Sequence, residues 1–148
     1  MAQYLEDLVV GEVCHFGHYE VTREDVIDFA RKFDPQPFHL DDEAAAKTHF
    51  GRIAASGWHS GAMSMAMLVE HFNAVGHQGL GSPGIDELRW LKPVYPGDTL
   101  RMTWEVLEVT PSRSKPDRGS IRTRTEMFNQ HDECVMRILA RSMVARRV

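Results

Sequence analysis

Between Ile53 and Val69 the chain carries no Asp, Glu, Lys or Arg, and a stretch of that length without charge must be covered by the rest of the molecule. Trp58, Ala62, Met63, Met65, Ala66, Met67, Leu68 and Val69 crowd into it behind Ser56-Gly57. Apolar nearly all round, the run predicts a core helix from about Gly57 to Val75. It is too short, and too rich in Ser, Gly and His, to span a membrane. Ser56 suits the N-cap, and Gly57 lets a ligand approach the backbone. Met63, Met65 and Met67 read as flexible core filler. A sequestered helix N-terminus offers unpaired N–H groups and positive potential, which suits a developing oxyanion.

The remaining elements arrange themselves around that helix. Glu12 to Val21 predicts a first strand, and Thr22 to Phe33 an amphipathic helix capped by Thr22, with Val26, Ile27, Phe29, Ala30 and Phe33 as its apolar face. Asp41 to Thr48 reads as a short helix opened by acidic residues. Gly76 to Gly84, with four glycines and a proline, is a turn-rich connector. Beyond it the period becomes two: Leu100, Met102, Trp104 and Val106 fall on one face, Arg101, Thr103 and Glu105 on the other. Ile121 to Phe128 and Cys134 to Ala140 repeat the alternation, joined by a hairpin at Asn129-Gln130-His131-Asp132. Pro111 to Gly119 is polar and reads as a mobile loop. One early strand, central helices and late strands predict an α+β domain, an antiparallel sheet packed on one long helix.

The segment Phe33-Asp34-Pro35-Gln36-Pro37-Phe38-His39 places a carboxylate and an imidazole on a loop that cannot be helical, because each proline biases its predecessor toward extended backbone. Asp34 falls where the first helix ends. The negative end of the helix dipole and partial desolvation are expected to raise its proton affinity, as a general base requires. His39 belongs to the residue type that titrates near neutrality. An acid/base pair is the sharp reading; an ordinary Asp-Pro turn followed by a structural histidine is the plain one.

In order, a helix, an Asp-x-Gln-Pro-x-His loop, a short acidic helix, a Phe-Gly step and Ile53-Ala54-Ala55-Ser56-Gly57-Trp58-His59 opening a long apolar helix resemble the MaoC-like dehydratases, which include the (R)-specific enoyl-CoA hydratases. The match runs from about Tyr4 to the C-terminus, and its specific part is Asp34 to His59. The resemblance implies a hotdog fold over residues 1–148 as a single MaoC-like domain, its sheet wrapped around the long helix. It implies reversible hydration of a trans-2-enoyl-CoA, or dehydration of a 3-hydroxyacyl thioester. Asp34 and His39 would then hold and activate the catalytic water, and the Gly57 amide would polarise the thioester carbonyl. Two departures stand out: Gln36 replaces the usual Asn, and Phe38 a smaller aliphatic residue. Trp58, Phe38 and Ser56 are the candidate substrate contacts; His59 and Ser60 lie in the same helical turn. The phrase Pro93-Val94-Tyr95-Pro96-Gly97-Asp98 reads as a strand-to-strand connection; in this family the corresponding phrase sits close to the substrate entrance, and an ordinary turn is the plain reading.

Hydration of an enoyl thioester needs one group to take a proton from water, another to deliver one to the α-carbon, and a donor for charge on the thioester oxygen. An Asp/His pair beside a helix N-terminus supplies these without metal or redox cofactor, with coenzyme A or an acyl-carrier protein as the carrier of the substrate. Two alternatives remain: an acyl-CoA thioesterase on the same architecture, and a non-catalytic acyl-thioester binder.

Composition narrows the partners. A net charge of −4 with no basic run disfavours nucleic acid. Arg137, Arg141, Arg146 and Arg147 look like a solvated strand face, with contact to carrier phosphates the weaker reading. Met1 to Asp7 lacks signal-peptide character, so a cytoplasmic protein of fatty acid metabolism is expected. Cys14 and Cys134 have no metal or redox spacing and are expected to be reduced, and the His15/His18 and His71/His77 pairs lack zinc-site patterns. An open sheet edge predicts a homodimer or a higher oligomer, with part of the substrate tunnel between subunits.

Overall fold

A computed structural model describes residues 1–148. Strand β1 (Val13–Glu20) leads into α1 (Arg23–Phe33), then a single 3-10 turn at Pro37–His39, α2 (Asp42–Ala46) and the long α3 (Gly57–Val75). Four strands follow: β2 (Gly84–Trp90), β3 (Thr99–Pro111), β4 (Arg118–Phe128) and β5 (Cys134–Ala145). They form one five-stranded sheet in the order β1-β3-β4-β5-β2, every neighbour antiparallel. One transverse row reads Cys14, Trp104, Thr125, Ile138, Leu88. This is the expected α+β architecture.

The helix ends follow their predicted chemistry. Thr22 accepts from the Asp25 N–H at 3.2 Å, Asp41 from the Ala44 N–H at 2.9 Å, and Ser56 from the Trp58 N–H at 3.3 Å. Helix α3 stops at Gly76, which takes the left-handed conformation at φ 70°.

The main core joins Met63 and Met67 of α3 to Leu100 and Met102 of β3, Met127 of β4, Val135 and Met136 of β5, and Val26 of α1. A second cluster gathers Leu5, Trp104, Val106, Ile121 and Val144 under Leu68 and Phe72. Close approach depends on a bulge in β1: Gly17, at φ 91°, breaks the register between Phe16 and Tyr19, and a Cβ there would stand 2.7 Å from the Met67 sulfur.

Four expectations need correction. Helix α3 is not covered all round: Met65 is 55% exposed, and Trp58 and Val69 are exposed with it, so the charge-free run has a bare apolar stripe in the isolated chain. Phe33 is 69% exposed; α1 seats Val26 and Ala30 instead, and Phe33 rests on Phe29. The polar segment after β3 shrinks to residues 112–117, because β3 continues through Pro111 and pairs it with Gly119. Strand β2 was expected only as an unplaced strand before Pro93, and its range was not read. Its register shifts between Ile85 and Glu87, so alternation changes phase in mid-strand and the period-two signal is lost.

The four C-terminal arginines are paired: Arg137 with Glu126, Arg141 with Asp86, Arg146 with Glu6 and Arg147 with Asp7. Cys14 and Cys134 are both free thiols. No helix is long and apolar enough to cross a membrane.

Candidate active site

Proline chemistry builds the first wall. Asp34 caps the C-terminus of α1, its N–H bonded to the Ala30 carbonyl at 2.9 Å, and leaves the helical region at φ −153°, ψ 67° because Pro35 follows. Gln36 is extended at φ −76°, ψ 141°, and Pro37 opens the 3-10 turn that ends at His39. The chain therefore doubles back, bringing His39 Nε2 to 3.3 Å from Asp34 Oδ2. Both side chains are sheltered, with 6% of the imidazole and 17% of the carboxylate exposed.

His39 Nδ1 lies 2.6 Å from the Ala54 carbonyl. A carbonyl only accepts, so Nδ1 carries the proton and Nε2 is the nitrogen presented to Asp34. In the neutral ring Nε2 and the carboxylate are both acceptors. A water molecule donating one hydrogen to each satisfies both.

Asp34 is held from three sides. Ser56 Oγ donates to Oδ2 at 2.7 Å, Gln36 Nε2 donates to Oδ1 at 2.6 Å, and His39 stands beside Oδ2. Burial acts to raise the proton affinity of the carboxyl, but the donors Ser56 and Gln36 and the adjacent imidazole together outweigh it, and the net direction is downward. The expectation of a raised affinity is thereby corrected: it counted desolvation and not the donors.

The second wall is the start of α3. Ser56 is fully buried, and Gly57 is the first helical residue. No carbonyl or side chain accepts from the Gly57 N–H, as is usual for the first turn of a helix. Trp90, at the end of β2, lies across it. Its indole Nε1 donates to the Gly57 carbonyl at 2.8 Å, and a Cβ on residue 57 would stand 2.5 Å from the ring atom Cε2. Only glycine fits there. Trp58 meets Trp90 edge-on, ring centroids 5.2 Å apart.

These walls enclose a cleft of about 530 Å³ that contains Asp34, Gln36, His39, Gly57, Trp58 and Ser60, together with His49, Phe50 and the run Trp90 to Val94. Of the predicted residues, Asp34, His39, Gly57 and Trp58 meet in it. Phe38 does not; its ring stacks on Phe50 and packs against the main core. Ser56 sits behind the surface, its hydroxyl committed to Asp34. His59 is buried against Phe29 of α1, ring centroids 4.6 Å apart. The Pro93–Asp98 phrase borders the cleft and also forms a turn. Pro93 and Val94 line the cleft, while Asp98 closes a turn by accepting from the Tyr95 N–H at 2.9 Å. Sequence reading missed Trp90, because no range was read for the strand that carries it.

An antiparallel sheet packed on one helix, with that helix's N-terminus and a carboxylate–imidazole pair lining one cleft, defines a hotdog-fold protein. The chain belongs to the MaoC-like family: the family model described as "MaoC like domain" matches residues 8–127. The chain is similar to the MaoC-like dehydratase from Rhodospirillum rubrum, with 41% identity, a TM-score of 0.89 and 99% of both chains covered. It is similar to R-hydratase PhaJ1 from Pseudomonas aeruginosa, with 30% identity, a TM-score of 0.73, and 97% of this chain and 86% of the other covered. In sequence it is 32% identical to a 3-hydroxybutyryl-CoA dehydratase of Methylorubrum extorquens over 76% of this chain and 69% of that protein.

Proposed function

We infer that the protein is a hydro-lyase that adds water reversibly to a trans-2-enoyl thioester carried on coenzyme A or an acyl-carrier protein. The observation that carries this reading is the Asp34–His39 pair: two acceptor atoms 3.3 Å apart, the imidazole tautomer fixed by Ala54, in one cleft with the free N–H of Gly57. Relatives named as dehydratases and hydratases of acyl-CoA thioesters support the reaction class.

The steps follow from the geometry. A water hydrogen-bonded to Asp34 and to His39 Nε2 is oriented, and its oxygen is made more nucleophilic. As that oxygen bonds to C3 of the enoyl group, the C2=C3 π electrons move toward the carbonyl, and the Gly57 N–H at the positive end of α3 stabilises the enolate oxygen. The pair accepts one proton from water and returns one to C2, so no charge remains. Asp34 and His39 stand 3.3 Å apart and hold these roles jointly.

The same reading includes a homodimer. Strand β2 pairs on one side only, with β5, and its Ile85 and Trp90 are exposed, as is the α3 stripe at Met65 and Val69. Edge-to-edge pairing with a second copy would cover these surfaces. A cytoplasmic setting in fatty acid metabolism, with no metal or redox cofactor, completes it.

The test is a panel of trans-2-enoyl-CoA esters followed by loss of conjugated absorbance, with chiral analysis of the 3-hydroxyacyl product. Hydration of at least one ester, saturable and enzyme-dependent, is expected. Release of free thiol without loss of conjugation, or binding without turnover, overturns the reading.

A further inference from the structure

A single hydrogen-bond chain runs from the surface of β2 to the catalytic carboxylate. The Trp90 Nε1–H donates to the Gly57 carbonyl at 2.8 Å. The same peptide group carries the Trp58 N–H, which donates to Ser56 Oγ at 3.3 Å. The Ser56 hydroxyl hydrogen, directed in turn at Asp34, reaches Oδ2 at 2.7 Å. Oδ2 is also the oxygen that faces His39 Nε2. Every donor points the same way, toward Asp34: Trp90 only donates, the Gly57–Trp58 peptide and Ser56 each accept one bond and donate the next, and Asp34 only accepts.

Such an arrangement is cooperative. Donation to a peptide carbonyl polarises the peptide and makes its N–H a better donor; a hydroxyl that accepts a stronger bond donates more strongly in turn. Ser56 is fully buried, so water does not compete at the middle of the chain. Trp90 also fills the space that any side chain at residue 57 would need, so its ring fixes the height of the first turn of α3 over the cleft. Trp58 braces it edge-on.

We propose that Trp90 is a positioning residue for the Asp34–His39 site, acting through the Gly57–Trp58 peptide and Ser56 to hold the first turn of α3 in register and to strengthen the hydrogen bond that Ser56 donates to Asp34. Trp90 touches no reacting atom in this account. Its effect reaches the chemistry through Ser56, which makes the two residues one unit and not two independent supports.

The unit is tested by titrating the Asp34 carboxyl, by ¹³C NMR of aspartate-labelled protein, in wild type, Trp90→Phe, Ser56→Ala and the double variant, with Asp34→Asn to assign the signal. Trp90→Phe keeps an aromatic ring but deletes the donor and part of the indole's volume over Gly57, so the titration of Asp34 and its comparison with the double variant carry the test and stability does not. The expected result is a rise in the Asp34 midpoint of about half a unit or more in Ser56→Ala, a smaller rise in Trp90→Phe, and a double variant equal to Ser56→Ala alone, because the chain is already cut at Ser56. Ser56→Thr, which restores a hydroxyl, should return the midpoint toward that of wild type and covers the case of an unfolded alanine variant. The acid limb of kcat should move with the midpoint while KM changes little. An unmoved midpoint in Trp90→Phe, or single shifts that simply add in the double variant, overturns the proposal. The kinetic arm rests on the hydration reading, whereas the titration does not: a wild-type protein without hydratase activity sinks that reading and leaves the Trp90 question decided by NMR.

Discussion

The Nδ1–H of His39 donates to the carbonyl of Ala54 at 2.6 Å, and this bond decides which face of the imidazole the cleft receives. Ala54 is anchored beside Ala55, whose N–H bonds the Val94 carbonyl at 2.7 Å, so the acceptor is held against the backbone between β2 and β3. The neutral protein should therefore show His39 as the Nδ1–H tautomer in ¹⁵N-detected spectra, with Nε2 carrying a lone pair. Finding the Nε2–H tautomer would remove the acceptor that the proposed water activation requires.

Replacing Gly57 with alanine should be costly for a reason specific to this chain. The new Cβ would sit 2.5 to 2.8 Å from three atoms of the Trp90 indole, which is itself tied to the Gly57 carbonyl. Overpacking of this kind costs about 1–3 kcal/mol, readable as a lowered urea midpoint at unchanged slope. Introducing Trp90→Leu into Gly57→Ala should recover part of the loss. If Gly57→Ala alone is neutral, the indole is not seated over the helix.

Acid should destabilise the fold through buried and half-buried histidines that do not line the cleft. Burial pushes His59, His71 and His77 below the ordinary imidazole value of 6.5; for His59 the nearby Asp25 opposes this in part, and for His77 its neighbour His71 adds to it. Each binds a proton more readily unfolded than folded, so the stability tied to their neutral forms is complete above about pH 6.5 and declines as pH falls from there through the lower folded-state values. Asp34 is shifted downward too, but as a carboxylate it contributes above its unfolded value near 3.8 and fails only at lower pH. Urea midpoints measured between about pH 7 and pH 5 should fall for wild type and fall less for His59→Phe. A pH-independent midpoint across that range contradicts this assignment.

The helices were legible because their signals are local. Ser56-Gly57 and the charge-free run gave the start of α3, and Thr22 with Asp25 gave the start of α1. The two prolines around Gln36 gave the turn that brings Asp34 to His39. What was hidden is nonlocal or out of phase. The bulge after Ile85 masked β2 and with it Trp90, which reaches Gly57 across 33 residues. The direction of the Asp34 shift was misread because its buried donor, Ser56, lies 22 residues away, where no spacing rule links them. Phe38 sits next to a catalytic candidate in sequence, yet its ring turns to the core, since adjacent residues of a 3-10 turn point in different directions.

Association should be visible in solution. Strand β2 offers an unpaired edge, and sedimentation should give a species of twice the 16.9 kDa chain mass or a multiple of it. Proline at Ile85, where β2 pairs with Ala140 of β5, should weaken the edge and shift the equilibrium toward smaller species. A wild-type protein that sediments as a monomer at micromolar concentration would leave the exposed α3 stripe and β2 edge without their proposed cover.

The shared water is tested most directly by a double-mutant cycle on hydration of the best enoyl-CoA substrate, comparing kcat for wild type, Asp34→Asn, His39→Gln and the pair. Two groups acting on one water should each cost at least about 100-fold alone, and the double variant should be scarcely slower than the slower single variant. Losses that multiply across the cycle, or single variants with near wild-type kcat, would contradict a common role for Asp34 and His39.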